Sequence, residues 1–258
     1  MHVKVLGPIE VFRDNRVIQP AGAGQRTLLA ALALEHGRVV MVDRLIDVLW
    51  DTAPPASART RIQAHISAIR RAVGQPGRRG AGPLLTAPAG YALSGEGVQL
   101  DLTIFSGLTA KGRVASESGQ HAVASELFGS ALALWRGPAF ADITAPAIRA
   151  AARPVDEQRL LTVEAKAEAD LAVGRCDTVV SELSAWVTAQ PLRERLRALL
   201  MTGFYRLGCR SDALSLYREG RQIMITELGI EPSLQLRDLH QRILIEDHAL
   251  LAAGTARK

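Results

Sequence analysis

Cysteine is nearly absent from this chain of 258 residues, with Cys176 and Cys209 its only two thiols. They have no metal-ligand spacing and build no disulfide framework, which points to a reducing compartment and to free, buried thiols, with a redox switch as the alternative. No apolar run approaches the ~20 residues of a membrane span. The opening Met-His-Val-Lys-Val also lacks the apolar core of a signal peptide, so a cytoplasmic location is expected. Catalytic signatures are missing as well. Gly22-Ala-Gly24 lacks the third glycine of a dinucleotide fingerprint and the Gly-Lys-Ser/Thr of a phosphate loop, and no Gly-x-Ser-x-Gly elbow occurs. The histidines His2, His36, His65, His121, His240 and His248 show no ligand spacing. No enzyme activity, metal or cofactor is therefore expected. One further absence is local: no Asp or Glu occurs from Thr52 to Gly95.

What is present starts with 48% hydrophobic residues, enough for a substantial core and for two domains. The net charge of +5 is unevenly placed. Residues 1–100 carry 12 Arg plus Lys against 7 Asp plus Glu, and residues 101–258 carry 19 against 19, so the whole excess lies in the first part. That is the partition expected if the N-terminal part meets a polyanion and the rest does not.

The acid-free stretch contains one amphipathic helix, read over residues 56–74. Its apolar seam is Ile62, Ile66, Ile69 and Val73, spaced for one buried helical face. A turn of about 100° per residue places Thr60, Ala64, Ser67 and Arg71 opposite the seam, with Arg59, Gln63 and Arg70 beside them. Taken alone, such a face belongs to an ordinary solvated helix. Here the arginines lack acidic partners at helical spacing. Small residues rimmed by Arg and Gln also suit a helix that enters a major groove while its rim holds phosphates. His65 lies at the edge of the seam as a partly buried structural histidine, and Trp50, Trp135 and Trp186 are read as core residues.

Around this helix the order of elements is informative. Val3–Leu6, Ile9–Phe12 and Val17–Ile18 are β-prone and suggest a small antiparallel sheet, with a turn at Asp14-Asn15-Arg16. A loop from Pro20 to Gly24 precedes a helix over Gln25–Glu35. A strand at Arg38–Val42 then leads to Asp43 as N-cap of a helix ending at Trp50 and burying Leu45, Ile46, Leu49 and Trp50. Beyond the 56–74 helix come a loop over Gln75–Gly82 and a hairpin over Leu84–Leu93. Helix, loop, helix, hairpin is the order of a winged helix-turn-helix. From Asp101 onward the chain is helical in period. Ala213 and Tyr217, Val179 and Leu183 thirty-four residues earlier, and more loosely Ala124 and Phe128 repeat one pattern at the tetratricopeptide period. The fold class expected is mainly α: a winged helix-turn-helix (α+β) over residues 1–96, an all-α tetratricopeptide-like domain over 101–250, and a flexible tail over 251–258.

The whole chain resembles the small Streptomyces antibiotic regulatory protein family of transcriptional activators. The likeness rests on Val5-Leu-Gly-Pro8, Gln25-Arg26, Val42-Asp-Arg-Leu-Ile-Asp-Val-Leu-Trp50, Pro54-Pro-Ala-Ser57 and Gly90-Tyr91. It continues in Ala133-Leu-Trp-Arg-Gly-Pro138, Pro191-Leu-Arg-Glu-Arg195, Glu227-Leu-Gly-Ile230 and Pro232. The resemblance implies an OmpR-type winged helix followed by a bacterial transcriptional activator domain. It also implies binding to direct repeats upstream of secondary-metabolite promoters, by two protomers side by side, and recruitment of RNA polymerase. On that basis Arg59, Thr60, Arg61, Gln63, Ala64, Ser67, Arg70 and Arg71 form the recognition helix, with Arg26 and Thr86 on phosphates. The loop Asp51, Thr52, Ala53, Pro54, Pro55 faces polymerase, at sigma factor region 4 or the alpha C-terminal domain. The partners are then double-stranded promoter DNA and polymerase, with no membrane, in a nucleoid-associated cytoplasmic protein. Control is expected through abundance or through a ligand or partner of the helical domain. The chain departs from the family pattern at Gly24, Thr60-Arg61, Ala68 and Ala87, where Lys, Asn-Thr, Arg and Arg are usual; Arg59, Arg61, Arg78 and Arg79 are placed to replace that charge.

Overall fold

A computed structural model describes residues 1–14, 16–18, 22–74, 82–94 and 97–251. The turn at Asn15, the loop from Pro20 to Ala21, most of the Gln75–Gly82 loop with Arg78 and Arg79, and the tail beyond Leu251 lie outside the described residues. Two compact units emerge: Met1–Leu108 with Ala131–Arg159, and Thr109–Ser130 with the residues from Leu160 onward.

The first unit opens with β1 (His2–Lys4), β2 (Glu10–Arg13) and β3 (Arg16–Ile18), paired antiparallel with Val3 opposite Val11 and Phe12 opposite Val17. Next come α1 (Ala23–Leu34), β4 (Val40–Met41), α2 (Val42–Trp50), α3 (Ala58–Ala72), β5 (Leu84–Ala87), β6 (Gly90–Leu93) and β7 (Gln99–Leu100). The first sheet has the order β3-β2-β1-β7, with β7 parallel to β1, and the second has the order β4-β6-β5. The β7 edge is an addition to the expected sheet. A two-residue strand that pairs with residues nearly a hundred positions away leaves no local alternation to read.

Helix α1 begins two residues before the expected start, so Gly22 is its cap and Gly24 lies in its first turn. Asp43 does not cap α2. Met41 occupies that position without a side-chain bond, and Asp43 sits in the first turn, where a carboxylate still complements the helix dipole. Leu45 and Val48 are the buried residues of α2, while Ile46, Leu49 and Trp50 pack half-buried against the core. Gly90 is needed for close approach: a Cβ there would stand 1.9 Å from the Val40 carbonyl oxygen, where β4 and β6 pair.

Segment 136–142 binds the loop after β1. Asp101 starts α4 (Asp101–Glu117) and accepts the Val5 and Leu6 backbone N–H groups at 2.8 and 3.1 Å. Arg136 and Phe140 donate their N–H groups to the Leu6 and Val5 carbonyls, and Asp142 accepts from the Ile9 N–H. These contacts satisfy backbone groups that no ladder partner reaches.

The helical series continues with α5 (His121–Leu132), α6 (Pro146–Ala172), α7 (Cys176–Ala189), α8 (Glu194–Arg206), α9 (Arg210–Leu228) and α10 (Leu234–Leu244). Helices α7 and α9 start thirty-four residues apart, and each is followed by a second helix, as a helix-pair repeat requires. Val179, Leu183, Ala213 and Tyr217 are buried, as are Ala124 and Phe128. Chain and fold thus agree: mainly α, a winged helix-turn-helix followed by a tetratricopeptide-like helical region.

Candidate nucleic-acid interface

Helix α3 is shorter than the expected 56–74 span and its face is the expected one. The seam residues Ile62, Ile66, Ile69 and Val73 are 0–3% exposed and share a core with Leu28, Leu32, Leu45, Leu84 and Leu93. Burying side chains of this size stabilises by about 1.5–3 kcal/mol each, which is what orients the helix. The helix starts behind Pro54-Pro55 and Ser57. It stops at Gly74, whose φ of +66° gives the left-handed cap that glycine adopts without steric cost. The Arg13 guanidinium donates to the Val73 carbonyl and so satisfies one of the free helix-end acceptors.

Thr60, Arg61, Gln63, Ala64, Ser67 and Arg71 are all exposed, on the side away from the seam. Among the described residues Arg61 and Arg71 have no salt bridge, so their charge is free for an external anion. The other basic residues of the expected set are engaged. Arg59 pairs with Asp43 of α2 at 2.5 Å, two largely exposed groups. Arg26 pairs with Asp142 at 3.2 Å. Half-buried Arg70 donates to the Leu84 carbonyl and to the Thr86 hydroxyl on β5. The acidic partner missing along the helix is thus supplied to Arg59 by the neighbouring helix, sixteen residues back, where no helical spacing could have signalled it.

Two departures from the family pattern have a structural context. A Cβ on Gly24 would lie 2.9 Å from His65 Nε2, so the first turn of α1 leans on the α3 imidazole where a longer side chain would need it to move. Ala68 and Ala87 are half-buried, not outward. The loop Asp51, Thr52, Ala53, Pro54, Pro55 joins α2 to α3 and is exposed up to the half-buried Pro55, with Asp51 at a positive φ of 51° as α2 ends. Trp135 is buried edge-on against Phe105 at 5.3 Å with the Arg159 guanidinium over its ring, and Trp50 and Trp186 are half-buried. Among the described residues no group of three or more His, Cys, Asp or Glu could hold a metal ion. No described helix is long and apolar enough to cross a membrane.

The α3 surface lies within a recognised sequence region. Residues 21–93 match the family described as "Transcriptional regulatory protein, C terminal", and residues 100–244 match "Bacterial transcriptional activator domain". Regulatory protein DnrI of Streptomyces peucetius is 36% identical over 96% of this chain and 93% of its own length. Regulatory protein AfsR of Streptomyces griseus is 37% identical over 95% of this chain, which spans only 25% of that relative. The solved structure of Mycobacterium tuberculosis EmbR in complex with a low affinity phosphopeptide superposes with a TM-score of 0.89 at 35% identity, covering 95% of this chain and 65% of that one.

Proposed function

Because the chain belongs to the Streptomyces antibiotic regulatory protein family of transcriptional regulators, we propose that it is a sequence-specific activator that binds direct repeats upstream of promoters in a secondary-metabolite cluster and recruits RNA polymerase. The observation that carries this reading is the free face of α3: small, polar and cationic residues over a buried isoleucine seam, beside a hairpin, in the part of the chain that holds all the excess positive charge. Thr60, Arg61, Gln63, Ala64, Ser67 and Arg71 enter the major groove, where short side chains permit close approach and Arg and Gln read base edges.

Arg59 and Arg26 act on phosphates. The Arg59–Asp43 pair is largely exposed, and exposed ion pairs contribute only about 0–1 kcal/mol, so exchange of Asp43 for a phosphate costs little; Arg26 is held more firmly, by the part-buried Asp142. Two protomers lie head to tail on the repeats, since direct repeats do not impose two-fold pairing. The exposed loop from Asp51 to Pro55 meets polymerase, at sigma factor region 4 or the alpha C-terminal domain.

Footprinting on the promoters that neighbour the gene, followed by a gel-shift salt titration of the protected fragment, tests the proposal. Protection of spaced direct repeats, with binding that weakens steeply with salt and prefers the fragment over random duplex, is the expected result. Equal binding to every duplex at physiological salt would overturn it in favour of a tetratricopeptide adaptor whose basic unit docks an acidic protein.

A further inference from the structure

Arg70 and Arg71 are adjacent, similar in chemistry and opposite in surroundings. Arg71 is exposed and, among the described residues, holds no salt bridge. Arg70, turned by about 100° from it on the helix, reaches the wing. Its Nε and Nη2 donate to the Leu84 carbonyl at 3.3 and 3.0 Å, and Nη2 also donates to the Thr86 hydroxyl at 2.6 Å. The two acceptors, a backbone carbonyl and a side-chain hydroxyl, lie two residues apart on β5. Nη2 alone reaches both acceptors while Nε adds a second, longer bond to the carbonyl, and a lysine chain ends one bond short of the Nη2 position and lacks that second donor. This fork ties the last turn of α3 to β5 and sets how the wing stands beside the helix.

Resting on the reading of α3 and the β5–β6 hairpin as a DNA-binding helix and its wing, we infer that Arg70 is a positioning residue. It fixes the wing strand against α3 so that both meet one duplex, and it contacts neither a base nor a phosphate. Thr86 is the acceptor half of the same device.

The test uses the full chain and two fluorescent probes, the footprinted promoter fragment and a random-sequence duplex, titrated by anisotropy over a salt series. Arg71→Gln should lower the salt slope on random duplex by about 0.9, because a duplex without the matching base offers this groove-facing charge only phosphates. Arg70→Gln should leave that slope at the wild-type value yet weaken promoter binding by about tenfold, within the range that one mismatched base pair costs. Arg70→Lys, with charge kept and the fork lost, should fail to rescue. Thr86→Val, which alters no charge, should weaken promoter binding in the same direction, and its effect should not add to that of Arg70→Gln. Rescue by Arg70→Lys, or a slope lowered by Arg70→Gln as by Arg71→Gln, would make Arg70 a phosphate contact and overturn the inference. Equal weakening on both probes with an unchanged preference ratio would overturn it too, leaving Arg70 a stabilising residue only. Failure of the wild-type chain to bind either probe would instead sink the DNA-binding reading on which the inference rests.

Discussion

Arg71 stands on the last turn of α3, exposed, opposite the isoleucine seam. If it reads a base edge, Arg71→Ala should cost about 1–3 kcal/mol on the correct promoter and relax discrimination at one position. A gel shift against single-base variants of the repeat checks this, and an unchanged affinity and preference would remove Arg71 from the interface. A second residue-scale expectation concerns pH. His240 of α10 stacks flat on Tyr217 of α9, with ring centroids 3.8 Å apart. Burial, and secondarily the nearby Arg218 charge, holds the imidazole below its ordinary value. The unfolded chain takes up that proton first as pH falls through about 6.5, so the unfolded state binds more protons there and stability rises with pH. The contribution of the neutral stack is present above this value and lost below it, toward the depressed folded value. Melting temperatures from pH 7.5 to 5.5 should therefore fall for the wild type, and fall less for His240→Phe, which keeps the ring and removes the proton site.

At the scale of the element, α3 shows a face determined by burial and a role determined by what the other face is left to do. Ile66 is 1% exposed at the centre of the seam. Ile66→Asp would bury an unpaired carboxylate, a change whose cost of several kcal/mol rivals the whole stability of a small unit. Calorimetry or circular dichroism should show loss of the first unit's cooperative transition, and an unchanged melt would mean the helix faces the other way. The seam was legible because a helical period of apolar residues repeats every three or four positions. The engagement of Arg59 and Arg70 was not, since Asp43, Leu84 and Thr86 belong to other elements and meet α3 only when the core closes. For the same reason Asp43 looked like a helix cap: Asp before an apolar run is the sequence sign of one, and its position inside the first turn depends on where β4 ends.

For the whole molecule, the N-terminal sheet depends on residues well beyond the hairpin. Asp101, β7 and the segment with Arg136, Phe140 and Asp142 all bind backbone groups between Val3 and Ile9. A fragment of residues 1–96 keeps α1 to α3 and both strands of the hairpin but loses every one of these partners. Each backbone group left buried and unpaired costs about 1–3 kcal/mol. The fragment should melt well below the full chain, or without cooperativity, in a thermal scan followed by circular dichroism. A fragment as stable as the full chain would show that residues 1–96 form a self-sufficient domain.

The order of elements from β1 to the β5–β6 hairpin, the buried face of α3, the helix-pair period of the second half and the concentration of positive charge in the first hundred residues were all readable before any fold was known. Each of these is written in local spacing or in composition, where neighbouring residues along the chain carry the signal. Which arginines are free and which are held was settled by packing in three dimensions: Arg61 and Arg71 face outward, while Asp43, Asp142 and the wing strand take up Arg59, Arg26 and Arg70. The physical reason is that a guanidinium's partner is whichever acceptor packing brings within about 3 Å, and packing joins residues whose separation along the chain carries no period.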